Sequence, residues 1–226
     1  MATPRATRKP NRLPLNRERV LRAAVELADQ AGFESLTMRK LARQLGVEAM
    51  SLYNHVASKD DLLDGMVDLV FSEIEPPTTD VDWKTAMRRR AISTREALAR
   101  HRWAIGLMEG RTNPGPASLR IRNAILGCLR EAGFSVEMTI QAYSVQDAYI
   151  YGFALQEKSM PLASADKFAA VAKRHSRQFE AAFSEYPYLA EVVGGHVAKS
   201  GYDFETAFLF GLDRILDALD GLRDAG

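Results

Sequence analysis

Cysteine is almost absent from this 226-residue chain. Cys128 is the only thiol, so an internal disulfide and a cysteine-based zinc site are both excluded. Long apolar runs are missing too. The longest, Ala148 to Leu155, is interrupted by Gly152 and falls far short of the ~18 residues a membrane helix needs. No apolar stretch follows Arg5, Arg8, Lys9 and Arg12, so a secretory signal is not expected and the cytoplasm is the expected location. The four histidines, His55, His101, His175 and His196, form no His-Glu-x-x-His pair. A nucleophile elbow and a phosphate-binding glycine loop are also lacking. These absences argue against an enzyme, and they call for no metal and no cofactor. What is present is ordinary for a folded protein: 46% hydrophobic and 26% charged residues rule out disorder throughout.

A net charge of +1 hides an asymmetry. Met1–Lys59 carries 11 Lys/Arg against 5 Asp/Glu, whereas Asp60–Gly226 carries 19 against 24. A basic first quarter on an acidic remainder suggests that only the first part meets a polyanion.

The chain divides accordingly. Residues 1–14, polar, basic and holding Pro4, Pro10 and Pro14, read as a disordered arm. Asn16 is a plausible N-cap for a helix with Val20, Ala24, Leu27 and Ala31 inward, closed by Gly32. Thr37 can cap a second, short helix that Gly46 breaks, and a third is expected from about Glu48 to His55. Ser58 can cap a fourth, with Asp61 in a capping-box-like position and a stripe of Leu63, Val67, Val70 and Ile74. Glu75-Pro76-Pro77-Thr78-Thr79 marks a domain boundary, giving domains at 15–77 and 81–226. Helical patterns continue beyond it. Trp83, Met87, Ala91, Thr94 and Leu98 share a face, residues 117–131 lead to Gly133, and Ser135 can cap a long helix to about Lys158. Residues 164–184 look helical, and Asp203 can cap a last helix carrying Phe204, Phe208, Gly211, Ile215, Ala218 and Leu222. The spacing predicts an all-α protein.

The most specific pattern is a helix-turn-helix. From Met38, residues Leu41, Ala42 and Leu45 fall on the buried side, and small Ala42 lets a second helix cross closely. Gly46 supplies the turn, and Val47, Leu52 and Val56 complete the core. The second helix then projects Glu48, Ala49, Ser51, Tyr53, Asn54 and His55, and such a helix fits the major groove of double-stranded DNA. Asn54 can bond adenine bidentately, and Ala49 or Met50 can touch a thymine methyl. Ser51, Tyr53 and His55 can donate to phosphates, while Arg39, Lys40 and Lys59 supply positive charge. A helical hairpin that binds protein instead presents the same pattern.

These residues resemble the tetracycline repressor (TetR) family of transcription regulators. The likeness lies in Leu36-Thr37-Met38-Arg39-Lys40-Leu41-Ala42, Leu45-Gly46-Val47, Ser51-Leu52-Tyr53-Asn54-His55-Val56 and Lys59-Asp60-Asp61-Leu62-Leu63. The resemblance implies that Thr37 and Arg39 approach DNA, that Tyr53 and His55 lie on the recognition helix, and that Lys59 meets phosphate. It extends to Trp83, Gly133-Phe134-Ser135, Gly152 and Ala207-Phe208-Leu209-Phe210-Gly211-Leu212, which look like the family's regulatory domain. That implies a helical-bundle domain and a homodimer joined through the long helix and the last helix of each subunit. Phe208, Gly211, Ile215 and Ala218 are then the interface candidates, with Gly211 and Ala218 allowing close approach.

Family members of this type are released from DNA by a small molecule. Where the tetracycline repressor has a magnesium-coordinating histidine, this chain has Met108, followed by Glu109-Gly110-Arg111. A thioether does not suit a hard cation that takes oxygen ligands and water. The other aligned drug-contacting positions hold Glu75, Arg90, Thr94, Ile125, Ala148 and Gln156, and none matches the family residue. A different effector is therefore expected, with Thr94, Trp103, Met108, Arg111, Tyr143, Gln146, Asp147 and Phe153 as candidate contacts. Asp147, if buried, needs a partner on the protein or on the ligand. The resemblance makes repression the default, and the sequence leaves activation open.

Overall fold

The computed structural model describes residues 14–108, 113–159 and 165–223. The basic arm up to residue 13, and Arg111 among the candidate ligand contacts, lie outside the described residues. Among the described residues every regular element is helical, as the spacing requires.

The N-terminal head consists of α1 (Arg17–Ala31), α2 (Met38–Leu45), α3 (Ala49–Leu52) and α4 (Lys59–Ser72). Its helices start where local chemistry satisfies free N–H groups. Asn16 accepts from Arg19, Thr37 from Lys40 and Ser58 from Asp61, each three residues on. Gly46 ends α2 in the left-handed conformation (φ 67°), after which Val47 N–H reaches back to the Ala42 carbonyl. Two expectations shift. Ala31 is exposed, because the buried face of α1 is Val20, Leu21, Ala23, Ala24, Val25 and Ala28. The recognition helix is shorter than expected: after Leu52 the chain continues to His55 as turns.

The second domain is a bundle built on α5 (Trp83–Arg100), α7 (Pro116–Glu131), α8 (Val136–Ser159) and α13 (Phe204–Arg223), with the single turn α6 (Ile105–Met108) before α7. Central α8 packs against α5, α7 and α13, and α4 runs from the head onto α7. Between α8 and α13 come α9 (Ala165–Arg174), α10 (Ser176–Glu185), α11 (Pro187–Leu189), a π-helical stretch (Ala190–Val197) and α12 (Ala198–Ser200). The stripe Trp83, Met87, Ala91, Thr94 and Leu98 is buried along α5. The polar flank of α5 is zipped to its neighbours by charge. Lys84 meets Asp217 (2.8 Å) and Asp220 (3.2 Å), Arg88 meets Asp213 (2.8 Å), and Arg95 meets Glu157 (2.7 Å). One continuous core runs from Val20 in the head to Leu219 in the last helix.

Candidate nucleic-acid interface and effector interior

The head presents one polar face. Leu41, Ala42, Leu45, Leu52 and Val56 are buried, so α2 and α3 are pinned by their inner sides. Turned outward are Thr37, Arg39, Lys40, Glu48, Met50, Tyr53, Asn54 and Lys59. Met50 is 74% exposed, which is unusual for so large an apolar side chain and suits contact with a base methyl or sugar. Met38, Ala49, Ser51 and His55 are half-buried, and Met38 and Ala49 pack partly on the core. The end of the recognition segment is held by a pair that the sequence alone did not single out. Arg17 grips Asp61 through two hydrogen bonds (2.6 and 2.8 Å) and donates to the His55 carbonyl (3.1 Å). Asp61 also accepts from Ala57 N–H, one residue before the expected capping-box partner Ser58. The Arg17 guanidinium holds the Asp61 carboxyl below the usual carboxylate range. Arg17 lies 44 residues before Asp61, so only the packing of α1 on α4 brings them together.

The bundle interior holds a polar cluster. Arg90 on α5 is 2% exposed and donates through Nη2 to Asp147 on α8 (2.5 Å). Thr94 Oγ1 donates to the Arg90 carbonyl, and Gln146 Nε2 donates to the Ala142 carbonyl. Arg122 on α7 donates to the Tyr143 hydroxyl (3.1 Å). Burial first, then the neighbouring Asp147 carboxylate, pushes the Tyr143 phenol up to about 12, so it stays neutral at any ordinary pH. Met108 is buried as well.

Between head and bundle lies a compact joint. His101, buried at the end of α5, faces Asp29 of α1 through Nδ1 (3.0 Å) and Glu73 through Nε2 (3.1 Å). A neutral ring can donate to one of these carboxylates; a protonated ring donates to both. Trp103 Nε1 donates to the same Asp29 (2.6 Å), and Arg100 donates to Glu73 (2.9 Å). Burial alone would raise the Glu73 carboxyl, but Arg100 and His101 together outweigh it and hold it below its ordinary value. On the other side of α4, Asp68 accepts from Ala117 and Ser118 N–H (3.2 and 2.9 Å), closing the N-terminus of α7.

A head with this turn geometry, joined through α4 to a bundle, is matched by two family models. One, described as bacterial regulatory proteins of the tetR family, covers residues 20–66; the other, the tetracyclin repressor-like C-terminal domain, covers 75–223. The chain belongs to the TetR family. It is therefore a regulator of transcription with a helix-turn-helix DNA-binding head. It is 33% identical to the HTH-type transcriptional repressor DrrR1 of Streptomyces coeruleorubidus, over 95% of this chain and 82% of that one. The TetR-family protein ActR of Streptomyces coelicolor, solved with (S)-DNPA, superposes with a TM-score of 0.71 at 25% identity, covering 92% of this chain and 98% of ActR. BioQ, solved on its natural double-stranded DNA operator, gives a TM-score of 0.58 at 28% identity over 65% of this chain and 89% of BioQ.

Within this TetR chain the structure gathers some of the expected effector contacts and separates others. Thr94, Tyr143, Gln146 and Asp147 belong to the interior around α8. Asp147 has its partner within the protein, Arg90, which the sequence marked only as an aligned, non-matching position. Trp103 does not line that interior. It stacks on Phe33 (6.4 Å between ring centres) and serves the joint with Asp29. Phe153 sits in an aromatic core with Tyr149, Phe204 and Phe208, where α8 meets α13. Phe208 itself is 0% exposed, so it has no surface to offer a second copy. Gly211 is small for a reason inside the protomer: a Cβ there would lie 2.3 Å from Tyr149 Oη, which donates to the Phe208 carbonyl. Ile215 is half-buried, whereas Ala218 and Leu222 are exposed. The outer face of α8 carries Val145, Ala148, Gly152 and Leu155, all exposed at a 3-4-3 spacing that sequence reading did not assign to an interface.

Proposed function

We propose that this chain represses transcription by binding a near-palindromic operator as a homodimer, and that a small molecule other than magnesium–tetracycline releases it. Residues 15–77 read the DNA, and residues 81–226 bind the effector and dimerise. The observation that carries the DNA reading is the exposed face of α2 and α3, with Arg39, Lys40 and Lys59 around Met50, Tyr53 and Asn54. Thr37, Arg39, Lys40 and Lys59, with Ser51, Tyr53 and His55, position the head on phosphates, beside Met38 at the start of α2. Glu48, Ala49, Met50 and Asn54 meet the groove. Two copies set their recognition helices roughly 34–36 Å apart, one turn of the duplex. The apolar seam of α8 (Val145, Ala148, Gly152, Leu155), together with Ala218 and Leu222 of α13, forms the contact between copies.

Relatives support the two halves of this reading: DrrR1 is named a repressor, BioQ was solved on its operator and ActR with a small molecule. The exclusion of magnesium–tetracycline follows from Met108, a buried thioether where a hard cation needs a nitrogen or oxygen ligand. Release works through the head–bundle joint. α7 hangs on α4 through Asp68, and α1 hangs on α5 through His101, so displacement of α7 or α5 by a ligand shifts the head. The effect is bounded by the ligand's differential affinity for the two arrangements.

Selection of DNA fragments from a random pool tests the reading. A palindromic winner, bound with a log–log salt slope of about −0.9 per neutralised phosphate, supports a dimeric sequence reader. No enrichment by folded, dimeric protein at moderate salt would favour a protein-interaction module.

A further inference from the structure

The polar cluster at the centre of the bundle is incomplete in a specific way. Arg90 has five N–H protons, and its one acceptor among the described residues is Asp147, reached through Nη2. Its Nε and Nη1, both buried, have no acceptor among the described residues. Gln146, 0% exposed on the adjoining helix, spends its amide N–H on Ala142 and leaves Oε1 without a donor. Buried groups of this kind are nearly always satisfied, so the two positions ask for an acceptor and a donor. Charge points the same way. Around Tyr143 stand two guanidiniums, Arg90 and Arg122, and one carboxylate, Asp147. The partners of Arg122 among the described residues, the Ser118 and Tyr143 hydroxyls and the face of the Phe71 ring, carry no charge. The cluster therefore holds one more guanidinium than carboxylate: Arg122, half-buried on α7, stands beside the buried Arg90–Asp147 pair.

From this we infer that the effector is an organic anion, whose acid or enolate oxygens accept from Arg90 and whose own hydroxyl or N–H donates to Gln146. The inference rests on the effector reading above and adds the ligand's chemical class. A cationic ligand is disfavoured by the two guanidiniums, and a neutral acceptor makes weaker hydrogen bonds to Arg90 than an ionised one.

Four probes on one ring system test it: 6-hydroxy-2-naphthoate, its carboxamide, plain 2-naphthoate and 2-naphthylmethylamine. Each is titrated calorimetrically into the purified chain, and operator release is followed by fluorescence anisotropy on a selected DNA fragment. The acid is expected to bind at least ten-fold more tightly than the amide, with the amine weakest. Arg90→Gln is expected to erase the acid–amide difference. Gln146→Leu should remove the advantage of the hydroxy acid over plain 2-naphthoate. Circular dichroism establishes that each variant folds; should one fail to fold, the acid–amide ratio in the natural chain decides. Equal binding of acid and amide, a preference that survives Arg90→Gln, or binding by none of the four at millimolar concentration overturns the inference. Operator release by a neutral or cationic compound overturns it too, while leaving ligand-controlled repression intact. Tight binding of the acid with no change in operator affinity would support the anion site and refute the release mechanism.

Discussion

Replacing Asp147 by Leu tests whether the Arg90–Asp147 pair organises the bundle. Arg90 is 2% exposed and the Asp147 side chain 11%, so neither charge reaches water easily. Removing the carboxylate strands a guanidinium that already has two unpartnered nitrogens. Breaking one side of such a pair costs about 3–5 kcal/mol. For a chain of this length each kcal/mol lowers Tm by roughly 2–4 °C, so the drop is on the order of 6–20 °C. The double replacement, Arg90→Met with Asp147→Leu, removes both charges and fills the space with apolar atoms. Its stability should return to within about 1 kcal/mol of the natural chain or exceed it by a few. The assay is thermal and urea unfolding followed by circular dichroism, at one fixed protein concentration because dimerisation contributes to apparent stability. A single Asp147→Leu change costing less than about 1 kcal/mol, or a double variant no better than the single, would refute the account.

Three further outcomes follow from other contacts. Gly211→Ala places a Cβ against Tyr149, 2.8 Å from ring Cζ as well as on the hydroxyl, so the ring must shift and Oη leave the Phe208 carbonyl; unfolding should show a loss of roughly 1–3 kcal/mol, only partly recovered by adding Tyr149→Phe, and a cost below about 0.5 kcal/mol would refute the close fit. Asp61 is held low by Arg17, so its contribution is present above the unfolded carboxylate value near 3.9 and is lost as pH falls through the folded one. Urea midpoints taken from pH 6 down to 2 should therefore fall more steeply for the natural chain than for Asp61→Asn, and parallel curves would remove the staple from the stability argument. In operator binding, Arg39→Ala should weaken all sequences alike and reduce the salt slope by about 1, whereas Asn54→Ala should relax base preference at one position. An unchanged preference after Asn54→Ala takes base reading away from that residue.

Much of the head was legible because its signals are local. Asn16, Thr37 and Ser58 cap helices three residues away, and Gly46 is needed for one positive φ, so a short window holds all the information. The same holds for Ser135 and Asp203, which accept from Met138 and Thr206. Periodicity served α5 well and left α13 open, because Phe208 and Gly211 lie about 60° apart on one helix. An apolar arc that wide can face its own bundle or a second copy, and only the position of α8 decides. Tyr149 occupies the notch at Gly211 from that side. Trp103 likewise is placed at the joint and not in the interior by Asp29, 74 residues earlier, which accepts its N–H.

By itself, then, the sequence determined the helices, most of their caps and the helix-turn-helix, since each depends on residue type and near-neighbour spacing. Tertiary structure decided which member of Arg88-Arg89-Arg90 is buried, how Asp147 is neutralised, and how His101 ties head to bundle. Those outcomes depend on pairs 57 and 72 residues apart, whose energies come from desolvation and geometry created only when the helices pack.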